Sequence, residues 1–172
     1  MLTRRMVCLG LALIPFSARA AAPDFTFANI DGGTIALSDL RGKPVLVVNT
    51  ASQCAFTPQY DALQALHETY GAKLTVLAVP SDDFGGQELA TEAEVKEFCE
   101  VNFNLTLPMT EITPVKGAQA HPFYLWAASQ NVSPTWNFHK ILLGPRGQIV
   151  GDYPSSIRPD SRRLRAAIDA LL

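Results

Sequence analysis

Most redox and metal chemistry depends on features that this chain has little of. It has three cysteines, Cys8, Cys54 and Cys99, and no two of them form a C-x-x-C pair. That pair is the dithiol signature of thiol–disulfide exchange, so a thiol–disulfide oxidoreductase is disfavoured. Its three histidines, His67, His121 and His139, stand far apart without metal-ligand spacing, and no metal or cofactor is expected. There is no repeat, no low-complexity run and no long linker. No apolar run is long enough to span a bilayer; the longest, Val7 to Phe16, falls well short.

That short run has a different use. Arg4 and Arg5 precede it, and Ala18-Arg19-Ala20 follows it with a small-x-small pattern. Residues 1–20 therefore read as a secretory signal peptide, with an uncleaved membrane anchor as the alternative. Thr3-Arg4-Arg5 also admits the twin-arginine route beside the general secretory one. The expected location is the periplasm or the exterior, with Cys8 leaving with the signal and no stable membrane insertion afterwards. The segment holds three of the 14 basic residues and no acid, leaving 11 basic against 16 acidic, a formal charge of −5. A surplus of acid excludes nucleic acid as a partner, because that affinity rests on neutralising phosphates. Residues 21–172 are long enough for one domain with a sizeable core. Two cysteines remain, and in an oxidising compartment they can also be a single static structural disulfide.

The order of elements is read from periodicity. Phe25 to Ala28 and Ile35 to Leu37 flank Asp31-Gly32-Gly33, a hairpin. Pro44 to Asn49 is an unbroken apolar stretch rich in β-branched residues, a strand buried on both faces. Thr57-Pro58 supplies an N-cap and a first-turn proline for a helix reaching Tyr70. Leu74 to Val79 is a second buried strand, completing a βαβ unit. Thr91 to Glu94 is a capping box that opens a helix reaching about Cys99. Leu107 to Met109 is a weak strand, and His121 to Ser129 a short helix. Strands at Asn137 to Leu143 and Gln148 to Tyr153 turn at Gly144 to Gly147. A last helix, about Pro159 to Leu172, carries Leu164, Ile168 and Leu171 on one face. Hairpin, βαβ, helix, hairpin and helix make an α/β thioredoxin-like sandwich, a central mixed sheet flanked by helices.

Cys54 stands where the first buried strand ends and a helix begins. Small ligands bind at that edge of an α/β sheet, and a helix N-terminus favours a thiolate, the nucleophilic form. The alternative for Cys54 is a small buried hydrophobe. Two other segments accompany it. Phe84-Gly85-Gly86-Gln87-Glu88 lies in the loop after the second buried strand. Trp136-Asn137-Phe138 opens a later strand. Alone, Gln87 reads as a loop residue, Trp136 as a core aromatic and Asn137 as a strand-start residue.

Together with Asn49 to Tyr60, these segments resemble the glutathione peroxidase family in order and spacing, over roughly Phe25 to Leu172. The resemblance implies a catalytic tetrad of Cys54, Gln87, Trp136 and Asn137, in the cysteine rather than the selenocysteine form. Amide and indole N–H groups can donate to the sulfur and to the oxygen leaving as the O–O bond breaks. Glu97-Phe98-Cys99 matches the context of the resolving cysteine in family members that use thioredoxin. The resemblance thus implies a hydroperoxide substrate, a Cys54 sulfenic acid resolved by Cys99, and a thioredoxin-like reductant. The chain also departs from the family. Ser81-Asp82-Asp83 stands where a Cys-Asn-Gln is common, and Ser155 and Ser156 stand where some members carry a basic pair. The arginines of glutathione-preferring members are missing, so glutathione is the less favoured reductant. The assembly insertion of tetrameric members is absent, which favours a monomer. His139 shares strand parity with Asn137 and either approaches the site or is solvated. Arg158, Arg162 and Arg165 form a basic stripe on the last helix, either a solvated face or a docking patch for an acidic reductase. A peroxide sensor that passes its oxidation to a partner protein is the competing function, together with the static disulfide.

Overall fold

The computed structural model describes residues 23–172. The signal-peptide reading, with Cys8, lies outside them. A hairpin comes first, β1 (Thr26–Ala28) against β2 (Thr34–Ala36). Its turn closes because Gly32 and Gly33 take φ of 88° and 77°, values that cost glycine nothing. The main sheet has the order β4-β3-β5-β6, from β3 (Val45–Thr50), β4 (Thr75–Pro80), β5 (Lys140–Leu143) and β6 (Ile149–Tyr153). β3 and β4 run parallel across the crossover helix α1 (Gln59–Tyr70), while β5 is antiparallel to both β3 and β6. The mixed α/β sheet matches the expected sandwich.

Every residue of β3, β4 and β5 is buried. The pleat divides them between two apolar layers. Leu46, Val48, Val76, Ala78 and Leu142 face a layer built with Tyr60 and Leu63 of α1, Val95 and Cys99 of α2 (Glu92–Phe103), and Leu164 and Ile168 of α4 (Arg162–Asp169). Val45, Val47, Leu77, Val79 and Ile141 face a layer built with Phe27 of β1 and Phe123 and Ala127 of α3 (Pro122–Ser129). Each large side chain so buried contributes about 1.5–3 kcal/mol before the entropy of ordering is counted.

Several boundaries differ from the sequence reading, each for a local reason. Thr57 does not cap α1; Pro58 holds the cap position. The Thr57 hydroxyl turns back instead, accepting from the Cys54 N–H at 3.0 Å and donating to the Ala51 carbonyl at 2.8 Å. α2 runs one turn beyond Cys99 and ends at Asn104, whose φ of 50° closes the helix. Its capping box is formed as expected, Thr91 and Glu94 each satisfying the other's N–H. Leu107 to Met109 is no ladder strand; Met109 and Thr110 make single bridges to Ala78 and Asn29. β5 starts at Lys140 because Phe138 has a φ of 60°, which breaks the extended run. α4 starts at Arg162 behind the Ser161 cap, so Arg158 is off the helix and pairs with Asp160. The basic stripe is therefore interrupted. Among the described residues, no helix is long and apolar enough to cross a membrane.

Candidate active site

Cys54 lies in the tight turn between β3 and α1. Thr57 buckles that turn: its hydroxyl takes the Cys54 N–H, and its own N–H returns to the Cys54 carbonyl at 3.0 Å. The sulfur is nearly buried and accepts from the Phe56 N–H at 3.4 Å. Cys99 is also a free thiol, wholly buried in α2 against the same apolar layer. Burial pushes its pKa up to about 12, with the carboxylates of Glu88 and Glu100 adding to the rise and the Tyr60 hydroxyl opposing it. Tyr60 faces Cys99 and Thr50 with its hydroxyl buried and without a well-formed hydrogen bond.

Gln87 comes from the loop after β4. Gly85 and Gly86, with φ of 81° and 61°, fold that loop back on itself. The Asp82 carboxylate accepts the Glu88 N–H at 3.0 Å, and Asp83 accepts from Val115 and Lys116 at 2.6 and 3.0 Å. Both carboxylates thus hold backbone N–H groups, Asp82 while exposed to solvent and Asp83 while half-buried. The Gln87 carbonyl accepts the Gln53 N–H at 2.9 Å, which ties this loop to the residue preceding Cys54. A second tie is the Glu88 carboxylate, which accepts from the N–H groups of Ser52 and Leu89 at 3.0 and 2.9 Å. Burial holds the Glu88 pKa above the ordinary carboxylate value.

Asn137 comes from the loop entering β5 and is completely buried. Its amide donates to Gln87 Oε1 at 3.0 Å and, more weakly, to the Phe84 carbonyl at 3.4 Å. Both amide hydrogens are thereby used. Asn137 thereby fixes the orientation of the Gln87 amide. The Trp136 ring is 40% exposed, at the rim, and lies 5.8 Å from the Phe84 ring. Its carbonyl accepts from Asn49 Nδ2 at 3.0 Å. The Phe138 N–H donates to the Asn49 carbonyl at 2.6 Å, so the end of β3 grips the whole Trp136-Asn137-Phe138 corner. Lys116 brings one cation to this side, 4.6 Å above the Phe84 ring.

The three sequence segments therefore meet: Cys54 joined to the Gln87 loop through Gln53, and Gln87 joined to Asn137. His139 takes neither expected course. It is buried and in contact with the Asp152 carboxylate of β6, and burial lowers its pKa. His121 caps α3 and stacks on Phe27 at 4.0 Å between centroids. His67 is a boundary residue of α1. Among the described residues, no three His, Cys, Asp or Glu side chains form a metal-binding group. Sequence reasoning missed Asn49, Thr57, Glu88 and Ser155, whose side chains hold backbone groups of the site. Asn49 and Glu88 stood inside quoted motifs. Ser155, counted only as a missing cation, is buried and donates to the Asn137 carbonyl at 2.6 Å.

Fold and site together define a thiol-based oxidoreductase on a thioredoxin-like scaffold. The fold class is shared with a DsbF homologue from Corynebacterium diphtheriae, at TM-score 0.68 and 21% identity over 92% of this chain and 90% of the other. The finer assignment comes from closer relatives. The family model for glutathione peroxidase matches residues 23–128, and the chain belongs to that family. It is 41% identical to a hydroperoxy fatty acid reductase of Synechocystis, over 86% of this chain and 94% of the relative. It is 38% identical to a glutathione peroxidase-like peroxiredoxin of Schizosaccharomyces pombe, over 76% and 86%. The crystal structure of Trgpx in its apo form is similar at TM-score 0.68 and 30% identity, over 86% and 93%. The protein is a peroxidase, an oxidoreductase that reduces hydroperoxides.

Proposed function

We propose that Cys54 is the peroxidatic thiol and that Gln87, Trp136 and Asn137 support it. The thiolate attacks the outer peroxide oxygen, the O–O bond breaks, and the departing oxygen takes a proton to leave as water or alcohol. Cys54 is left as a sulfenic acid. The observation that carries this reading is the junction of three chain segments at one thiol: Gln53 N–H on the Gln87 carbonyl, and Asn137 on the Gln87 side chain. Donors held in place by a buried amide need no reorganisation as charge develops on the leaving oxygen.

Cys99 then attacks the sulfenic sulfur, water leaves, and a disulfide forms. A thiol held near 12 is a poor nucleophile while α2 is intact. Resolution therefore proceeds through local opening of α2, which exposes Cys99 to water and restores an ordinary thiol pKa. A dithiol reductant of the thioredoxin type returns both sulfurs to thiols by exchange. Two things support that choice over glutathione. The relative from Schizosaccharomyces pombe and one from Saccharomyces cerevisiae are both named glutathione peroxidase-like peroxiredoxins. The chain without residues 1–20 is also net acidic, which disfavours an anionic thiol. Export by residues 1–20, through the general secretory or twin-arginine route, completes the proposal. The mass of the protein recovered from the cell envelope or medium tests it directly.

Single-turnover and steady-state assays with hydrogen peroxide decide the chemistry. Cys54→Ser is expected to lose all peroxide reduction. Cys99→Ser should consume about one equivalent and stop at the sulfenic acid, losing thioredoxin-dependent turnover. Gln87→Ala should oxidise roughly 10²–10³ times more slowly, the cost of an oxyanion-hole donor. Multiple turnover by Cys54→Ser, or equal wild-type rates with glutathione and thioredoxin, would overturn the reading.

A further inference from the structure

No step above uses Lys140, a lysine with no exposed surface at the start of a central strand. Among the described residues no carboxylate pairs with it. Its Nζ donates instead to three oxygens: Gln59 Oε1 at 2.5 Å, the Ile157 carbonyl at 2.7 Å and the Ser155 carbonyl at 3.4 Å. Burying an ammonium without a counter-charge costs several kcal/mol, and an apolar residue would fill the position more cheaply. The acceptors show what that cost is spent on. Gln59 is the first residue of α1, and its N–H donates to the Phe56 carbonyl at 2.8 Å. Phe56 in turn donates its N–H to the sulfur of Cys54. On the other side, Gln59 Nε2 donates to the Ser155 carbonyl at 2.7 Å, and the Ser155 hydroxyl donates to the Asn137 carbonyl at 2.6 Å. One buried cation thus sits where the Cys54 turn and the Asn137 corner are tied together.

We propose that Lys140 is a positioning residue for peroxide reduction, its ammonium locking the first turn of α1 to the 155–157 loop and so setting Cys54 in register with Asn137. The proposal rests on Cys54 being the peroxidatic thiol. The stoichiometry fits the charged form: an ammonium has three hydrogens for three acceptors, whereas a neutral amine has two. Burial, with Arg158 adding to it, brings the Lys140 pKa down to about 7. The clamp is therefore complete below neutrality and loses one of its bonds above it. The other ionisable groups around it are Arg158 of the 154–161 loop, Tyr153 opposite on β6 and His139, the residue before β5. Arg158 stays charged throughout and Tyr153 stays neutral, its pKa raised by burial. His139 titrates on the acid side, its pKa lowered. A loss of rate on the alkaline side of neutrality is then the signature of Lys140.

The test is the second-order rate of thiol oxidation by hydrogen peroxide in the reduced protein, followed by stopped flow across pH 5–9. Lys140→Met keeps an unbranched side chain, one atom shorter, and removes the charge together with its desolvation cost. It is expected to keep its unfolding midpoint within a few degrees, to oxidise roughly 10–100-fold more slowly at pH 6, and to lack the alkaline fall expected of the wild type. Ser155→Ala, which cuts the link to Asn137 without touching the charge, should slow oxidation about 3–10-fold, the loss of one hydrogen bond, and retain the fall. A folded Lys140→Met with the wild-type rate and profile overturns the proposal. Should that variant not fold, a Ser155→Ala protein that oxidises at the wild-type rate overturns it alone. Cys54→Ser serves as the control: if it still reduces peroxide, the underlying reading fails, whereas an inert Cys54→Ser beside a fully active Lys140→Met removes only the role of Lys140.

Discussion

Glu88 illustrates how a single side chain near the site trades stability for order. One of its oxygens holds two backbone N–H groups, those of Ser52 and Leu89, and so fixes the approach to Cys54. The other oxygen is buried without a partner. Burial raises its pKa in the folded state, with hydrogen bonds from Ser52 and Leu89 working against the rise. The folded chain therefore keeps its proton to higher pH than the unfolded chain, and stability declines as pH rises from the unfolded value through the folded one. Glu88→Gln keeps an acceptor for both N–H groups and never ionises. Denaturant titrations at pH 3 and pH 7 should find the variant equal to the wild type at the lower pH and more stable at the higher. A variant less stable than wild type at pH 7 would show that the charged bonds outweigh burial.

At the scale of elements, α2 has two opposed duties. It must be a good helix, because Val95 and Cys99 complete the apolar layer over β3 and β4. The proposed resolution by Cys99 also requires it to open, because Cys99 is sealed from Cys54 by burial and by a raised pKa. The balance is set at its N-terminus, where Thr91 and Glu94 satisfy each other's backbone N–H groups. Thr91→Ala removes that cap at a cost of about 1 kcal/mol, typical of an N-cap threonine. If the opening that frees Cys99 includes the first turns of α2, disulfide formation should run roughly fivefold faster, the equivalent of that 1 kcal/mol. Cys54 oxidation itself should be unaffected. Quenched-flow trapping of free thiols after a peroxide pulse measures both steps. An unchanged resolving rate would confine the opening to the C-terminal turn near Asn104.

For the whole molecule, the question is whether the surface calls for a second copy. Among the described residues, the large apolar side chains left exposed are Val101 on α2, Leu125 on α3, Trp136 at the site rim, Val150 on β6 and Leu172 at the end of the chain. They are scattered over five places, and scattered apolar residues need no partner. The stretch from α3 to Trp136 is short and forms no element of its own. Sedimentation velocity across a hundredfold range of concentration should find one species of monomer mass. A dimer that persists on dilution would refute this and direct attention to the Trp136 rim, where a partner would also gate the site.

Sequence by itself determined what depends on local pattern. Apolar runs rich in β-branched residues at Pro44 to Asn49 and Leu74 to Val79 read as strands buried on both faces, and Asp31-Gly32-Gly33 as the turn of a hairpin. That the segments of Cys54, Gln87 and Asn137 meet was legible because three short motifs stand in the family's order, and Thr91 to Glu94 because a capping box is closed within one turn. Tertiary structure decided everything that depends on which distant groups find each other. Thr57 was misread because its hydroxyl had two uses, and the Cys54 turn claimed it before α1 could. Ser155 read as the loss of a cation until its hydroxyl met the Asn137 carbonyl. Lys140 stayed invisible inside a strand pattern, because its three acceptors come from positions 59, 155 and 157, which no local pattern relates. A buried charge is stable only where distant acceptors converge, and that convergence is a property of the folded chain alone.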